Sequence, residues 1–288
     1  MKKVQSLKLF VAFAIALLVL TPSFSTHAQS TTEAHKIQKR SILHPPHDYR
    51  NKVIDSTTPT FASIGLTVSP GSDSNSTFNF EGTGFVVGKN TFVTNNHVAI
   101  KFRNANPINK GATNSAWFYP GRDGDYLPFG KFKIIDVAYS PNADIAVVTV
   151  GKQNDLPYGK ELGDVVAPLK VKKFSTTDRK VTISGYPGEK NKTQWYDTNR
   201  VEIHNFDNLE SPTLMYDIDT TPGQSGSPIF NTSHEVVGVH SNGGRGNNGN
   251  LRNLGQRLNS VNYNFIMKRV NEENQKLYTS NADRWVWN

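Results

Sequence analysis

The stretch Thr220-Thr-Pro-Gly-Gln-Ser-Gly-Ser-Pro228 sets a serine, Ser225, beside Gly226 and two residues after Gly223, with prolines at 222 and 228. Glycine reaches backbone conformations with φ > 0 and leaves its amide uncovered, while proline fixes φ and stiffens the chain. A loop of this kind can present the Ser225 hydroxyl and aim the N–H groups of Gly223 and Ser225 at one point. A developing oxyanion placed there would be stabilised during acyl transfer. The same composition describes an ordinary β-turn. Chemistry therefore requires a base and a group to orient it elsewhere in the chain.

Of the eight histidines, His97, His204, His234 and His240 lie beyond the polar and Pro-rich N-terminal region. His97 closes the run Phe92-Val-Thr-Asn-Asn-His97, where a strand leaves its sheet and a side chain can reach a cleft; lone histidines there are also common surface or core residues. Asp144 directly precedes the apolar run 145–148. A carboxylate at the border of a buried run is costly unless paired, although Asx residues also serve as turn formers. Each residue alone is unspecific. The order His97, Asp144, Ser225, with separations of 47 and 81 positions, is much more specific. A carboxylate orients an imidazole, and the imidazole accepts the serine proton as the hydroxyl attacks a carbonyl.

The elements that must position these groups read as short strands. Runs of β-branched and aromatic residues fall at 61–68, 84–87, 91–94, 132–137, 145–150, 180–184, 214–218 and 236–240, separated by Gly, Pro, Asn and Asp. That spacing predicts an all-β sandwich or barrel rather than βαβ units. A polar, turn-rich segment at 151–168 reads as a connection between two halves. Val261, Phe265, Ile266 and Val270 predict one amphipathic helix over about 259–277, capped by Asn259 or Ser260. The tail 284–288 is aromatic, and packing against the barrel is its expected role.

The three segments Thr94-Asn-Asn-His97-Val, Asn142-Ala-Asp144-Ile-Ala and Gly223-Gln-Ser225-Gly-Ser-Pro228 resemble the catalytic motifs of chymotrypsin-like serine proteases. Within that family the chain is most similar, over essentially its whole length, to the secreted glutamyl endopeptidases of staphylococci and enterococci. The resemblance implies two antiparallel six-stranded β-barrels with the active site in the cleft between them and a C-terminal helix. It implies Ser225 as nucleophile, His97 as general base and then acid, Asp144 as orienting carboxylate, and the Gly223 and Ser225 N–H groups as the oxyanion hole. For substrate it implies recognition of a glutamate side chain by Thr220, His240 and the free α-amino group of the mature N-terminus, at Ser41 or, after one further cut, Ile42. A hydroxyl, an imidazole and an ammonium would supply convergent donors and up to two positive charges. One departure is Pro222, where the family usually has glycine; since neither oxyanion donor comes from residue 222, catalysis should survive.

The N-terminus predicts export. Lys2, Lys3 and Lys8 precede an apolar run at 9–20, followed by Thr26-His27-Ala28, a small-residue cleavage pattern. Residues 1–28 are expected to be a signal peptide, with an uncleaved anchor as the other reading. Residues 29–40, polar and ending Gln38-Lys39-Arg40, are expected to be a propeptide, or else a tail with no role in maturation. A first barrel over 41–160 and a second with its helix over 161–288 follow. The partners expected are protein or peptide substrates and a second secreted protease for maturation, since a Glu-directed enzyme should not cut after Lys39-Arg40.

Composition narrows the rest. Cysteine is absent, which excludes disulfides, thiolate metal sites and cysteine nucleophiles. The formal charge of +8 divides unevenly: residues 1–40 hold six Lys/Arg and one Asp/Glu, leaving 26 against 23 beyond them. With no dense basic run interleaved with aromatics in that remainder, no nucleic-acid partner is expected, and no membrane association after signal removal. No His-Glu-x-x-His segment exists, and neither a metal nor another cofactor is expected. Two alternatives stay open. One is a triad protease of different, single-target specificity, as in the exfoliative toxins. The other is a catalytically silent β-barrel binding protein.

Overall fold

The computed structural model describes residues 43, 47–72, 77–154, 156, 158–198, 209–245 and 251–282. Its strands are β1 (Asn51–Lys52), β2 (Ile64–Ser72), β3 (Thr77–Val86), β4 (Thr91–Thr94), β5 (Trp117–Pro120), β6 (Phe132–Tyr139) and β7 (Ala146–Gln153) in the first half. The second half supplies β8 (Thr182–Gly185), β9 (Trp195–Asp197), β10 (Thr213–Tyr216), β11 (Pro228–Phe230), β12 (Val236–Arg245) and β13 (Leu251–Arg257). Helices are α1 (Pro59–Ala62), α2 (Asn96–Ala99), α3 (Leu162–Val165) and α4 (Ser260–Ala282). The predicted strand at 61–68 therefore begins later, because Pro59 at the first helical turn starts a short helix that runs to Ala62.

All pairings between these strands are antiparallel. Strands β2-β3-β4-β7-β6-β5 close into a six-stranded barrel, since β2 pairs with both β3 and β5. The second half is a seven-stranded sheet in the order β1-β9-β8-β11-β12-β13-β10. The resemblance implied six strands there; the additional one is β1, which leaves the N-terminal region to pair Asn51 with Tyr196 and Lys52 with Trp195.

Period-two alternation explains why β7 reads as one continuous apolar run. Ala146, Val148 and Val150 point into the barrel core with Phe92, Phe118 and Phe132. Ile145 and Val147 point the other way, into a cluster shared with Phe230, Val236 and Val239 of the second half. A strand with both faces buried carries apolar residues at every position. Phe92 and Phe118 stack with centroids 4.2 Å apart at the centre of the barrel.

Helix α4 covers the seam. Ile266 and Val270 are buried in the shared cluster, each contributing about 2 kcal/mol by burial. Val261, expected on that apolar face, is instead half exposed. Asn259 is the cap: its Oδ1 accepts from the Asn262 N–H at 2.9 Å, satisfying a donor of the first turn. The expected signal peptide and propeptide, Ser41, Ile42 and the tail 284–288 lie outside the described residues.

Candidate active site

His97 and Asp144 meet because β4 and β7 pair in register. Thr94 is opposite Ala146, so both residues lie just beyond the same end of the strand pair. His97 sits in α2, one turn after β4 ends. Asn95 Nδ2 donates to Asp144 O at 2.8 Å, and Asn96 Nδ2 donates to the carbonyls of Ser140 and Ala143, both at 2.9 Å. These bonds fasten the start of the helix to the loop before β7. Asp144 then grips His97 twice: Oδ2 lies 2.7 Å from Nδ1, and Oδ1 accepts from the His97 backbone N–H at 3.0 Å.

Asp144 has a third partner that the sequence motifs do not include. Ser241 Oγ donates to Asp144 Oδ2 at 2.5 Å. Burial pushes the Asp144 carboxyl up, but its bonds with His97 and Ser241 outweigh that, and its net shift is downward. An ionised Asp144 fixes the His97 tautomer with Nδ1 protonated, leaving Nε2 free to accept a proton.

The loop that carries Ser225 is held from the first barrel. Thr83 N–H donates to Ser225 O at 2.9 Å, and Thr83 Oγ1 donates to Gly223 O at 2.8 Å while accepting from Tyr186 N–H at 3.0 Å. Gly226, at φ +89°, passes so close to this hub that a Cβ there would lie 2.1 Å from Thr83 O. Gly223 is at φ +100°, which L side chains rarely adopt. The Pro222 carbonyl is turned toward Gly188, whose N–H donates to it at 2.8 Å. Trans-peptide geometry then directs the Gly223 N–H the opposite way. Among the described residues, the backbone bonds of the turn are made by the N–H groups of Gln224, Gly226 and Ser227, not by those of Gly223 and Ser225.

Ser225 and His97 line one small cleft, together with Thr67, Glu81 and Val98. In this state the Ser225 hydroxyl donates to Ser241 O at 3.1 Å. Transfer of that bond to His97 Nε2 is the rotation that would arm the hydroxyl.

His240 and Thr220 are both fully buried. Tyr216 Oη lies 2.6 Å from His240 Nδ1, whereas among the described residues His240 Nε2 and Thr220 Oγ1 have no close hydrogen-bond partner, the imidazole interacting besides with the Leu254 backbone. Burial drives the His240 pKa down to about 3, with repulsion from His97 adding to the shift, and burial holds the Tyr216 phenol well above its ordinary value. A neutral phenol donating to Nδ1 leaves His240 as a neutral imidazole with Nε2–H as its donor. The expected hydroxyl, imidazole and ammonium would carry up to two positive charges; burial favours the neutral imidazole of His240.

His240 and Ser241 are neighbours with different tasks. In a regular strand they would face opposite sides of the sheet. The register of β12 against β13 shifts between His240 and Asn242, and this irregularity re-aims the chain so that His240 meets Tyr216 while Ser241 reaches Asp144. Ser241, Tyr216 and Thr83 escape motif reading because each acts through a long-range contact; the glycines flanking Thr83 are the only local signal. No group of His, Cys, Asp or Glu among the described residues is arranged to hold a metal ion, and no described helix is long and apolar enough to cross a membrane.

Residues 82–239 match the family model described as "Trypsin-like peptidase domain". The chain belongs to the trypsin-like peptidase domain family. A protein named glutamyl endopeptidase from Staphylococcus aureus is 30% identical over 241 residues, covering 77% of this chain and 66% of its own length. Another, from strain MW2 of that organism, is 29% identical, covering 74% and 64%. The chain thus spans a little under two thirds of these relatives. Among solved structures, a Glu endopeptidase superposes with a TM-score of 0.60 at 22% identity, covering 78% of this chain and 97% of its own. The protease Anisep from Arthrobacter nicotinovorans gives 0.53 at 18%, covering 74% and 94%. Those two likenesses carry the trypsin-like fold, with its closed six-stranded barrel, second sheet and C-terminal helix.

Proposed function

We propose that this trypsin-like chain is a secreted serine endopeptidase that cleaves after glutamate, less well after aspartate, and is made as a precursor. Ser225 Oγ attacks the scissile carbonyl as its proton passes to His97 Nε2. Asp144 stabilises the imidazolium, and the N–H groups of Gly223 and Ser225 bind the oxyanion. Collapse of the tetrahedral species breaks the C–N bond, and His97 gives its proton to the leaving amine. Water, deprotonated by His97, then hydrolyses the acyl-enzyme and frees Ser225.

One observation carries the glutamate reading: among the described residues Thr220 Oγ1 and His240 Nε2, five positions before and fifteen after Ser225, are buried without a close hydrogen-bond partner, although the His240 imidazole also interacts with the Leu254 backbone. Buried donors without a close partner are costly unless a ligand completes them, and a carboxylate accepts from both. The names of the staphylococcal relatives point the same way. The α-amino group of Ser41 would add the cationic partner once residues 1–40 are removed.

Peptides differing only in the residue before the scissile bond test this, together with cleavage mapping on a denatured protein by mass spectrometry. Cuts should cluster after Glu, with Asp roughly 10–200-fold poorer if one methylene decides the difference. Cuts scattered after Lys, Leu or Phe would remove the glutamate reading and leave the serine-protease reading intact. Full activity in a purified chain that retains residues 29–40 would remove the precursor reading.

A further inference from the structure

Arg50 has a side chain only 1% exposed, although the segment leading into it, 47–49, is exposed. Every donor direction of its guanidinium is used. Nε and Nη2 donate to the two carboxylate oxygens of Asp48 at 2.8 and 2.9 Å, and Nη2 also donates to Glu189 Oε1 at 2.7 Å. Nη1 donates to Thr221 Oγ1 at 2.6 Å and to Gln224 Oε1 at 2.9 Å. Burial opposes the charge on Arg50, but the bonds with Asp48 and Glu189 more than compensate.

The last two partners lie at the ends of the segment that holds Pro222 and Gly223. Gln224 is itself buried, immediately precedes Ser225, and accepts through the same Oε1 from Thr221 N–H at 3.0 Å. Glu189 accepts from Thr221 Oγ1 at 2.9 and 2.7 Å, and it neighbours Gly188, whose N–H holds the Pro222 carbonyl. A few residues earlier, Asp219 Oδ2 accepts from Tyr49 N–H at 2.9 Å. The segment 48–50 is therefore bonded to residues on both sides of the candidate oxyanion loop, through a planar fork that no other side chain reproduces.

We propose that Arg50 is a positioning residue: it holds 221–224 in the one conformation from which the Gly223 N–H and the Ser225 hydroxyl act. Arg50 touches none of the reacting atoms and works through Gln224, Thr221 and Glu189. Active-site assembly then depends on docking of the N-terminal segment against the second sheet. This rests on the assignment of Ser225 as nucleophile and not on glutamate selectivity.

Arg50→Ala in the mature enzyme should lower kcat by about 10- to 100-fold with a much smaller change in KM, since a small misplacement of the reacting groups has that effect. The rate at which a fluorophosphonate labels Ser225 should fall in parallel. Millimolar guanidinium ion should restore part of both rates, and Arg50→Lys should not. Loss of thermal stability with unchanged kcat and labelling rate in the folded protein would overturn the proposal, as would guanidinium having no effect on the Arg50→Ala enzyme. If Arg50→Ala does not fold, Gln224→Met decides, because it keeps the carboxylate pairs of Arg50: slowed labelling supports the proposal and wild-type labelling overturns it. Failure of the wild-type enzyme to label at all would instead sink the nucleophile assignment.

Discussion

Tyr216 Oη stands 2.6 Å from His240 Nδ1 on a neighbouring part of the second sheet, and both residues are fully buried. β10, which carries Tyr216, and β12, which carries His240, both pair with β13, so one strand separates them and the phenol reaches across it. The phenol proton decides which imidazole nitrogen is left to donate.

Tyr216→Phe should therefore harm selectivity more than chemistry. The variant leaves Nδ1 buried without a partner, costing about 1–3 kcal/mol of stability. With the tautomer no longer fixed, kcat/KM on a Glu peptide should fall roughly tenfold, corresponding to about 1.4 kcal/mol. Phosphonate labelling of Ser225 should keep its wild-type rate. Equal losses in both measurements would show that Tyr216 supports the fold of the whole site rather than the orientation of His240.

His240 also makes stability depend on pH. Its pKa is about 3 in the folded protein against an ordinary value of 6.5. Between those values the unfolded chain binds a proton that the folded one excludes, so stability rises with pH. The contribution is present above pH 6.5 and is lost progressively as pH falls toward 3. Denaturant midpoints measured at pH 7, 5 and 4 should decline, and His240→Gln should decline less steeply. Asp144, whose pKa is lowered, adds a loss of the same sign at lower pH, which the His240→Gln variant would retain.

Ser241→Ala removes the hydroxyl that donates to Asp144 Oδ2 but keeps the carbonyl that accepts from Ser225. The Asp144 pKa should rise, because one bond favouring its ionised form is lost. We expect kcat/KM to drop roughly tenfold on every substrate, with the acid limb of the pH–rate profile moved upward. An unchanged profile would show that His97 alone sets the state of Asp144.

The sequence by itself marked eight of the strands and the three candidate chemical residues, but not the short β1, β5, β9 and β11 or the polar β13. Apolar runs at 91–94 and 145–150 coincide with strands because period-two burial on two faces leaves a local imprint. The Gly/Pro framing of Ser225 likewise reflects local backbone demands, borne by Gly223 and Gly226 at positive φ. Tertiary structure alone decided what surrounds them. Thr83 joins the halves through contacts more than 100 positions away, Ser241 reaches Asp144 across 97, and Arg50 reaches Gln224 across 174. Hydrogen bonds between distant segments constrain one atom of each partner and impose no periodicity on the chain around it. The neutral state of His240 belongs with them, for it follows from burial among residues of several strands rather than from its neighbours in sequence.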